Sequence, residues 1–319
     1  MRAKFFIHAV CSAVLCLMCM NIQAQGMQDF SQLRELPANM HNIIQQGRAS
    51  SALDIDNDSL LFRNADGLYT SGLRFSRSYR IKVSEGWQSA GWRFGQQLYT
   101  PVHVTIPVAD LGPLDRPYAG WIYGGMFYRI EHPDGSELDF GLDLGCLGPC
   151  ALGRQTQEVV HSILHQPKPL GWSSQISTEP GLVLHLGGRA TPIRLGSALD
   201  VQPGVSGRLG NIFTDLTAEA TFRAGQLHLG AEQRVYGFLR LALRAVAYDA
   251  TLQGGLFGDE TQRTVRPKRD TGEIEAGVQW QGREWALRAS VVSRSNQIDG
   301  QTASLGQQGF LRLSIIYAP

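Results

Sequence analysis

Glu137-Leu-Asp-Phe-Gly-Leu-Asp-Leu144 sets Leu138, Phe140, Leu142 and Leu144 against Glu137, Asp139, Gly141 and Asp143 without a break. Successive side chains of a β-strand point to opposite faces, so this run makes a strand with one apolar and one polar face. The pattern recurs along the chain. Leu53 and Ile55 alternate with Asp54 and Asp56, and Leu73, Phe75 and Tyr79 with Arg74, Ser76 and Ser78. Ile274, Ala276, Val278 and Trp280 alternate with Glu273, Glu275, Gly277 and Gln279, and Leu311, Leu313, Ile315 and Tyr317 with Arg312 and Ser314.

In a soluble sandwich the polar face looks out, whereas in a membrane barrel the charges line the interior. Long strand segments and tight turns at His132-Pro133-Asp134-Gly135 and Gly282-Arg283-Glu284 alternate with long loops, the asymmetry of an outer-membrane barrel. The expected fold is all-β: a transmembrane antiparallel β-barrel of about 12 strands, with one short external α-helix. Inward Arg74, Arg240, Arg244, Arg288 and Arg312 are expected to pair with Glu273 and Glu275. A barrel this small fills with such side chains, which disfavours a channel. Gly225 to Val235 is too long for a neat turn, and no internal repeat or second domain is evident.

Basic Met-Arg-Ala-Lys and the apolar run Phe5 to Met20, followed by Ile22-Gln23-Ala24, predict a secretory signal peptide over residues 1–24. Residues 25–48 read as a polar leader or periplasmic segment, and 49–319 as the barrel. Loss of Arg2 and Lys4 takes the formal net charge from +1 to −1, which gives no electrostatic case for nucleic acid. Of five cysteines, Cys146 and Cys150 remain, either as a small disulfide loop in an oxidising compartment or as two thiols. With His161 they do not complete a zinc ligand set.

The break in the alternation is Gly148 to Gln166, the best helix candidate in the chain. Thr156, Val159, Val160 and Ile163 fall on one side at helical spacing, and Gln157, His161 and His165 on another. With the N-terminus periplasmic, strand parity carries four segments to the external rim: Asn57-Asp58 with the loop 59–68, Tyr69-Thr70, the loop 100–116 with Asp115-Arg116, and the His161 helix. Asp56-Asn57-Asp58 offers hard oxygen ligands of the type calcium or magnesium takes, although alone such a run usually makes a turn. Thr70 alone reads as a β-former, and His161 alone as a structural histidine. Together they suffice for ester hydrolysis by water, base and Lewis acid, with neutral His161 taking the proton. No Gly-x-Ser-x-Gly is present for a serine route.

Ala52-Leu-Asp-Ile-Asp-Asn-Asp58, Tyr69-Thr-Ser-Gly-Leu-Arg-Phe-Ser76, Gln97-Leu-Tyr-Thr-Pro101, Asp115-Arg-Pro-Tyr-Ala-Gly120, and the helix stretch with Gly148-Pro149, Gly153, Gln157 and His161 resemble the outer-membrane lipid A 3′-O-deacylase family. The resemblance runs from about residue 50 to residue 224. It implies a 12-stranded barrel with a calcium-dependent site between barrel wall and external helix, acting on the 3′-acyloxyacyl chain of lipid A in lipopolysaccharide. It places cation coordination on Asn57 and Asp58, substrate or ligand positioning on Thr70, and the general base on His161. Gln157 would orient His161 or the substrate. The lysine that the family carries after the Tyr-Ser/Thr-Pro motif is missing from Val102-His-Val-Thr-Ile106, leaving Arg116 to supply positive charge to the substrate. The chain also ends Tyr317-Ala-Pro319 rather than on an aromatic residue. The expectation is a Gram-negative outer-membrane deacylase with no obligate protein partner. The alternatives are a non-enzymatic channel or structural barrel, and a phospholipid esterase on the same fold.

Overall fold

The computed structural model describes residues 36–58, 68–227, 233–258, 262–302 and 306–319. The expected signal peptide and loop residues 59–67 lie outside the described residues, as does the middle of the Gly225 to Val235 joint. The strands are β1 (Arg48–Asn57), β2 (Ser71–Val83), β3 (Gly86–Tyr99), β4 (Ala119–Glu131), β5 (Glu137–Leu147), β6 (Glu179–Arg189), β7 (Ile193–Arg194), β8 (Leu199–Gly210), β9 (Phe213–Gly225), β10 (Arg234–Asp249), β11 (Asp270–Gln281), β12 (Trp285–Arg294) and β13 (Gln308–Tyr317). Each main strand pairs antiparallel with its sequence neighbour, β1 pairs β13, and β6 pairs β8 past the two-residue β7. Setting β7 aside, the other twelve of the thirteen strands form a closed antiparallel barrel.

Alternation sorts the two faces as a membrane requires. Leu73, Phe75, Phe94, Met126, Leu144, Leu184, Leu241 and Ile274 are exposed on the outer wall. So continuous an apolar surface would be a liability in water and is the lipid-facing band of a barrel. The intervening residues meet inside as ion pairs set by cross-strand register. Asp54 lies opposite Arg74, so Arg74 bonds it at 2.8 Å rather than Glu273 or Glu275. Arg312 lies opposite Asp56, bonds it at 2.9 Å and also reaches Glu275 at 3.3 Å. Arg240 bonds Glu273 at 2.5 Å and Glu219 at 2.7 Å, and Arg288 bonds Glu275 at 2.8 Å, as expected. Arg93–Asp143 at 2.7 Å, Arg129–Asp139 at 2.5 Å and Arg294–Glu273 at 2.5 Å extend the network, as does the Arg208–Asp215 pair. Arg244 departs from expectation: its hydrogen bond is to Thr217 Oγ1 at 3.2 Å.

Toward the long-loop end, Tyr69, Tyr99, Trp121, Tyr123, Phe213 and Phe310 fill the lumen. The lumen holds cavities of about 450 and 740 Å³. Arg244, Arg288, Arg294 and Arg312 stand in the walls of both. The lumen is a charged, obstructed interior, which counts against the channel alternative.

Among the described residues, two helices of eleven residues lie outside the wall. α1 (Leu36–Gln46) sits at the short-turn end, where Met40, Ile43 and Ile44 pack on Tyr79, Ala90, Tyr128 and Ile130. These strand residues share parity with the lipid-facing row, so α1 covers the outer wall and does not enter the lumen. α2 (Gly153–Ile163) lies against β3 and β4 at the long-loop end. A Cys146–Cys150 disulfide, with Cα atoms 6.0 Å apart, ties the end of β5 to the start of this excursion. α3 (Ala250–Gln253) is a single turn after β10, capped by the Asp249 side chain.

Candidate active site

The site begins with register at the long-loop end. Asn57 pairs with Ser71, Ser71 with Leu98, and Leu98 with Gly120, in step with outward-facing Ile55, Leu73, Phe94 and Met126. This row is the last outward step of β1 to β4. Asp58 N donates to the Thr70 carbonyl at 3.4 Å, and Thr70 N to the Leu98 carbonyl at 3.1 Å. The Thr70 and Thr100 hydroxyls are 2.6 Å apart and hydrogen-bonded. Asp58, Thr70 and Thr100 are all buried. The strand ends therefore bring Asn57, Asp58 and Thr70 together as expected, and add Thr100.

Helix α2 faces this row. Gly120 stands under Ala151 and Gly153, close enough that a methyl on Gly120 would meet the Ala151 Cβ at 3.0 Å. A methyl on Gly153 would lie 2.6 Å from the Trp172 ring and 3.0 Å from Leu98 Cδ2. The helix needs glycine on both surfaces to come this near. Gln96 Nε2 donates to the Ala151 carbonyl at 2.6 Å and fixes the position of the start of α2. Leu98 thus touches both halves: its carbonyl holds Thr70, and its side chain supports the helix.

Gln157 and His161, one turn apart, are each 2% exposed, whereas Val159, Val160, Ile163 and Leu164 are open. The helix is inverted relative to one on a soluble protein: Gln157 and His161 lie on the wall, and the outward face carries Val159, Val160 and Ile163 beside Arg154, Gln155 and Ser162. That arrangement suits a helix whose outer solvent is lipid. His165, expected on the same polar face, follows the end of the helix with a left-handed φ of 56°.

Each polar side chain is held by a partner that the sequence reading passed over. Trp172 Nε1 donates to Gln157 Oε1 at 2.7 Å, which leaves the Gln157 amide donors for another acceptor. His161 Nδ1 is 2.6 Å from the Pro167 carbonyl. A carbonyl can only accept, so Nδ1 carries the proton and the Nε2 lone pair is the basic one. Thr100 lies within the quoted Gln97-to-Pro101 motif and was visible in sequence. Trp172 and the Pro167 carbonyl had no signal there, because their roles arise from the return of the loop after α2.

Arg116 is not brought to the helix side. It is fully buried over the lumen mouth, with its guanidinium carbon 4.2 Å from the Tyr99 ring centre. Nη1 donates to Gln297 Oε1 at 3.0 Å, and Nη2 to Thr251 Oγ1 at 2.5 Å. Burial lowers the Arg116 pKa, and the nearby Asp249 charge opposes that shift. Arg116 ties three loops across the mouth. Arg116→Met is expected to leave buried acceptors unpaired and cost about 2–3 kcal/mol. A lower midpoint of heat-induced unfolding in detergent reads that loss; an unchanged midpoint would remove the strut role.

The described residues contain no grouping of three or more His, Cys, Asp and Glu side chains arranged for a metal. Asn57, Asp58, Thr70 and Thr100 offer side-chain oxygens, one of them a carboxylate, and that donor chemistry fits calcium rather than zinc.

No curated protein matches the chain. Among solved structures, LpxR from Salmonella typhimurium superposes with a TM-score of 0.71 at 20% identity, over 85% of this chain and 100% of that one. The β domain of the Bordetella autotransporter BrkA matches at 14% identity with a TM-score of 0.48, over 85% and 98% of the two chains. The translocator domain of NalP from Neisseria meningitidis matches at 12% identity with a TM-score of 0.44, over 93% and 98%. The family model described as Outer membrane protein LpxR matches residues 10–317, and the chain belongs to that family.

Proposed function

We propose that this outer-membrane barrel is a hydrolase that removes the 3′-O-linked acyloxyacyl chain of lipid A by His161-based water attack. The observation that supports this most directly is the inverted helix. A basic imidazole nitrogen is buried at the outer wall, beneath an apolar helix flank facing the region that lipid occupies. An acyl ester in that leaflet reaches His161 without leaving hydrocarbon, whereas a water-soluble ester meets the apolar flank first.

In this reading the ester carbonyl lies beside His161, toward the end of α2 away from its close packing on Leu98 and Gly120. His161 Nε2 takes a proton from the attacking water, and the Pro167 carbonyl stabilises the imidazolium through Nδ1–H. The tetrahedral intermediate collapses with cleavage of the acyl C–O bond, and the imidazolium returns its proton to the departing sugar oxygen. Gln157 Nε2 donates to a substrate oxygen. Asn57, Asp58 and Thr70 would hold calcium, which when bound polarises the ester carbonyl. Arg116, buried at the mouth, acts by holding the loops rather than by touching phosphate.

Mass spectrometry of lipid A from cells expressing the protein tests the reading. The expected result is loss of one acyloxyacyl mass from the 3′ position. An unchanged lipid A spectrum together with release of fatty acid from glycerophospholipid would transfer the site to a phospholipid esterase. No release from either lipid, by a folded barrel with calcium supplied, would overturn the enzyme reading.

A further inference from the structure

The lumen arginines of the ion-pair network each have a carboxylate, and Arg244 does not. Its outgoing bond is to the neutral Thr217 hydroxyl. Asp215 and Glu273, the carboxylates beside it, are committed elsewhere: Asp215 bonds Arg208, while Glu273 bonds Arg240 and Arg294. Asp54, Asp56 and Asp249 also line the 450 Å³ cavity, where Asp54 and Asp56 bond Arg74 and Arg312 and Asp249 caps α3. Arg208 and Arg294 present like charges to it. Among the described residues no carboxylate forms an ion pair with Arg244.

A guanidinium cannot escape this situation by losing its proton. A cation in a confined interior, with like charges beside it, needs a counter-charge or dense hydration. The space for a counter-charge is present. Arg244 lines each of the cavities described above, and the one of about 450 Å³ is also lined by Arg208 and Arg294. A chloride or tetrahedral oxyanion fits that volume many times over, and the guanidinium fork offers two parallel donors to it.

We propose that the barrel lumen contains a binding site for a small inorganic anion, held by Arg244 with Arg208 and Arg294 beside it. The anion balances the cationic cluster and locks the waist of the barrel. It is independent of the ester site, because neither cavity is lined by Asn57, Asp58, Thr70, Gln157 or His161.

Crystals of the full-length mature protein soaked with bromide, as a probe for chloride, or arsenate, as a probe for phosphate, test this by anomalous scattering. A peak at the Arg244 guanidinium with either probe is expected, and the successful probe identifies the class of anion. The peak should vanish in Arg244→Gln and persist in Arg244→Lys, which keeps the charge. In solution, replacing gluconate by the same probe at fixed ionic strength should raise the wild-type unfolding midpoint by about 2–4 °C for each kcal/mol gained. Arg244→Gln should lose that rise. No peak at Arg244 in wild-type crystals, or a peak that survives Arg244→Gln, would overturn the proposal; water alone would then hydrate the cation. Because wild-type soaks decide the matter unaided, a variant that fails to fold does not shield it.

Discussion

His161→Ala is expected to lower turnover of the lipid ester by about 10²–10⁴-fold, the usual contribution of a positioned base. The barrel itself should be unaffected, since the imidazole sits on a helix outside the wall and bonds the Pro167 carbonyl of the following loop. A variant that keeps its heat-modifiable migration and its yield in the outer membrane, yet no longer changes lipid A, would meet the expectation. Because alanine also releases the Pro167 carbonyl and its loop, His161→Asn is the sharper companion. Asparagine offers an N–H toward that carbonyl but no basic nitrogen. If both variants are inactive, the loss is one of proton transfer. If Asn restores activity, the histidine is a loop clip and the base lies elsewhere. Full activity in the alanine variant would end the assignment.

The barrel was legible because a period of two survives in Glu137 to Leu144 and its counterparts, and because the interior of a small barrel must neutralise its own charges. The choice of ion-pair partners was only partly legible. Arg240 and Arg288 find Glu273 and Glu275 on adjacent strands. Arg74, however, takes Asp54 because β1 and β2 set those residues opposite one another, and register is not visible from composition. Arg244 eluded the reading for a related reason: a list of arginines and glutamates balances loosely, and only geometry shows which cation is left over.

The site divides in the same way. Asn57, Asp58 and Thr70 were placed together by strand parity, because they end adjacent strands at one rim. Gln157 and His161 were placed on one helix face by spacing, but spacing cannot say which face is buried. A soluble protein would turn Val159, Val160 and Ile163 inward; lipid reverses the preference and presses His161 onto the wall. Arg116 shows the converse limit. With the family's lysine missing, Arg116 is expected to supply positive charge to the substrate; the structure stacks it on Tyr99 and bonds it to residues more than a hundred positions away. Helix α1 gave little signal either, since Met40, Ile43 and Ile44 are its main apolar content amid Asn and Gln.

Asp58→Ala should match the His161 variants in lost turnover while differing in its response to calcium. The oxygen set contains a single carboxylate, and calcium affinity falls as ligand charge falls. This places binding near the weak end, with Kd of about 10⁻⁴–10⁻³ M. Chelation should therefore silence the wild type readily, and millimolar calcium should restore it. If calcium binds only the folded barrel, about 10 mM should stabilise the wild type by roughly 1.4–2.7 kcal/mol. Asp58→Ala should show no such gain, because a neutral amide and hydroxyls alone hold the ion too weakly. His161→Ala should keep the calcium shift in full while remaining inactive, which separates the metal's contribution from the base's. A wild type whose unfolding midpoint and activity both ignore calcium and chelator would remove the cation from the mechanism. Asn57, Asp58 and Thr70 would then remain as a hydrogen-bonded strand end at the rim of the barrel.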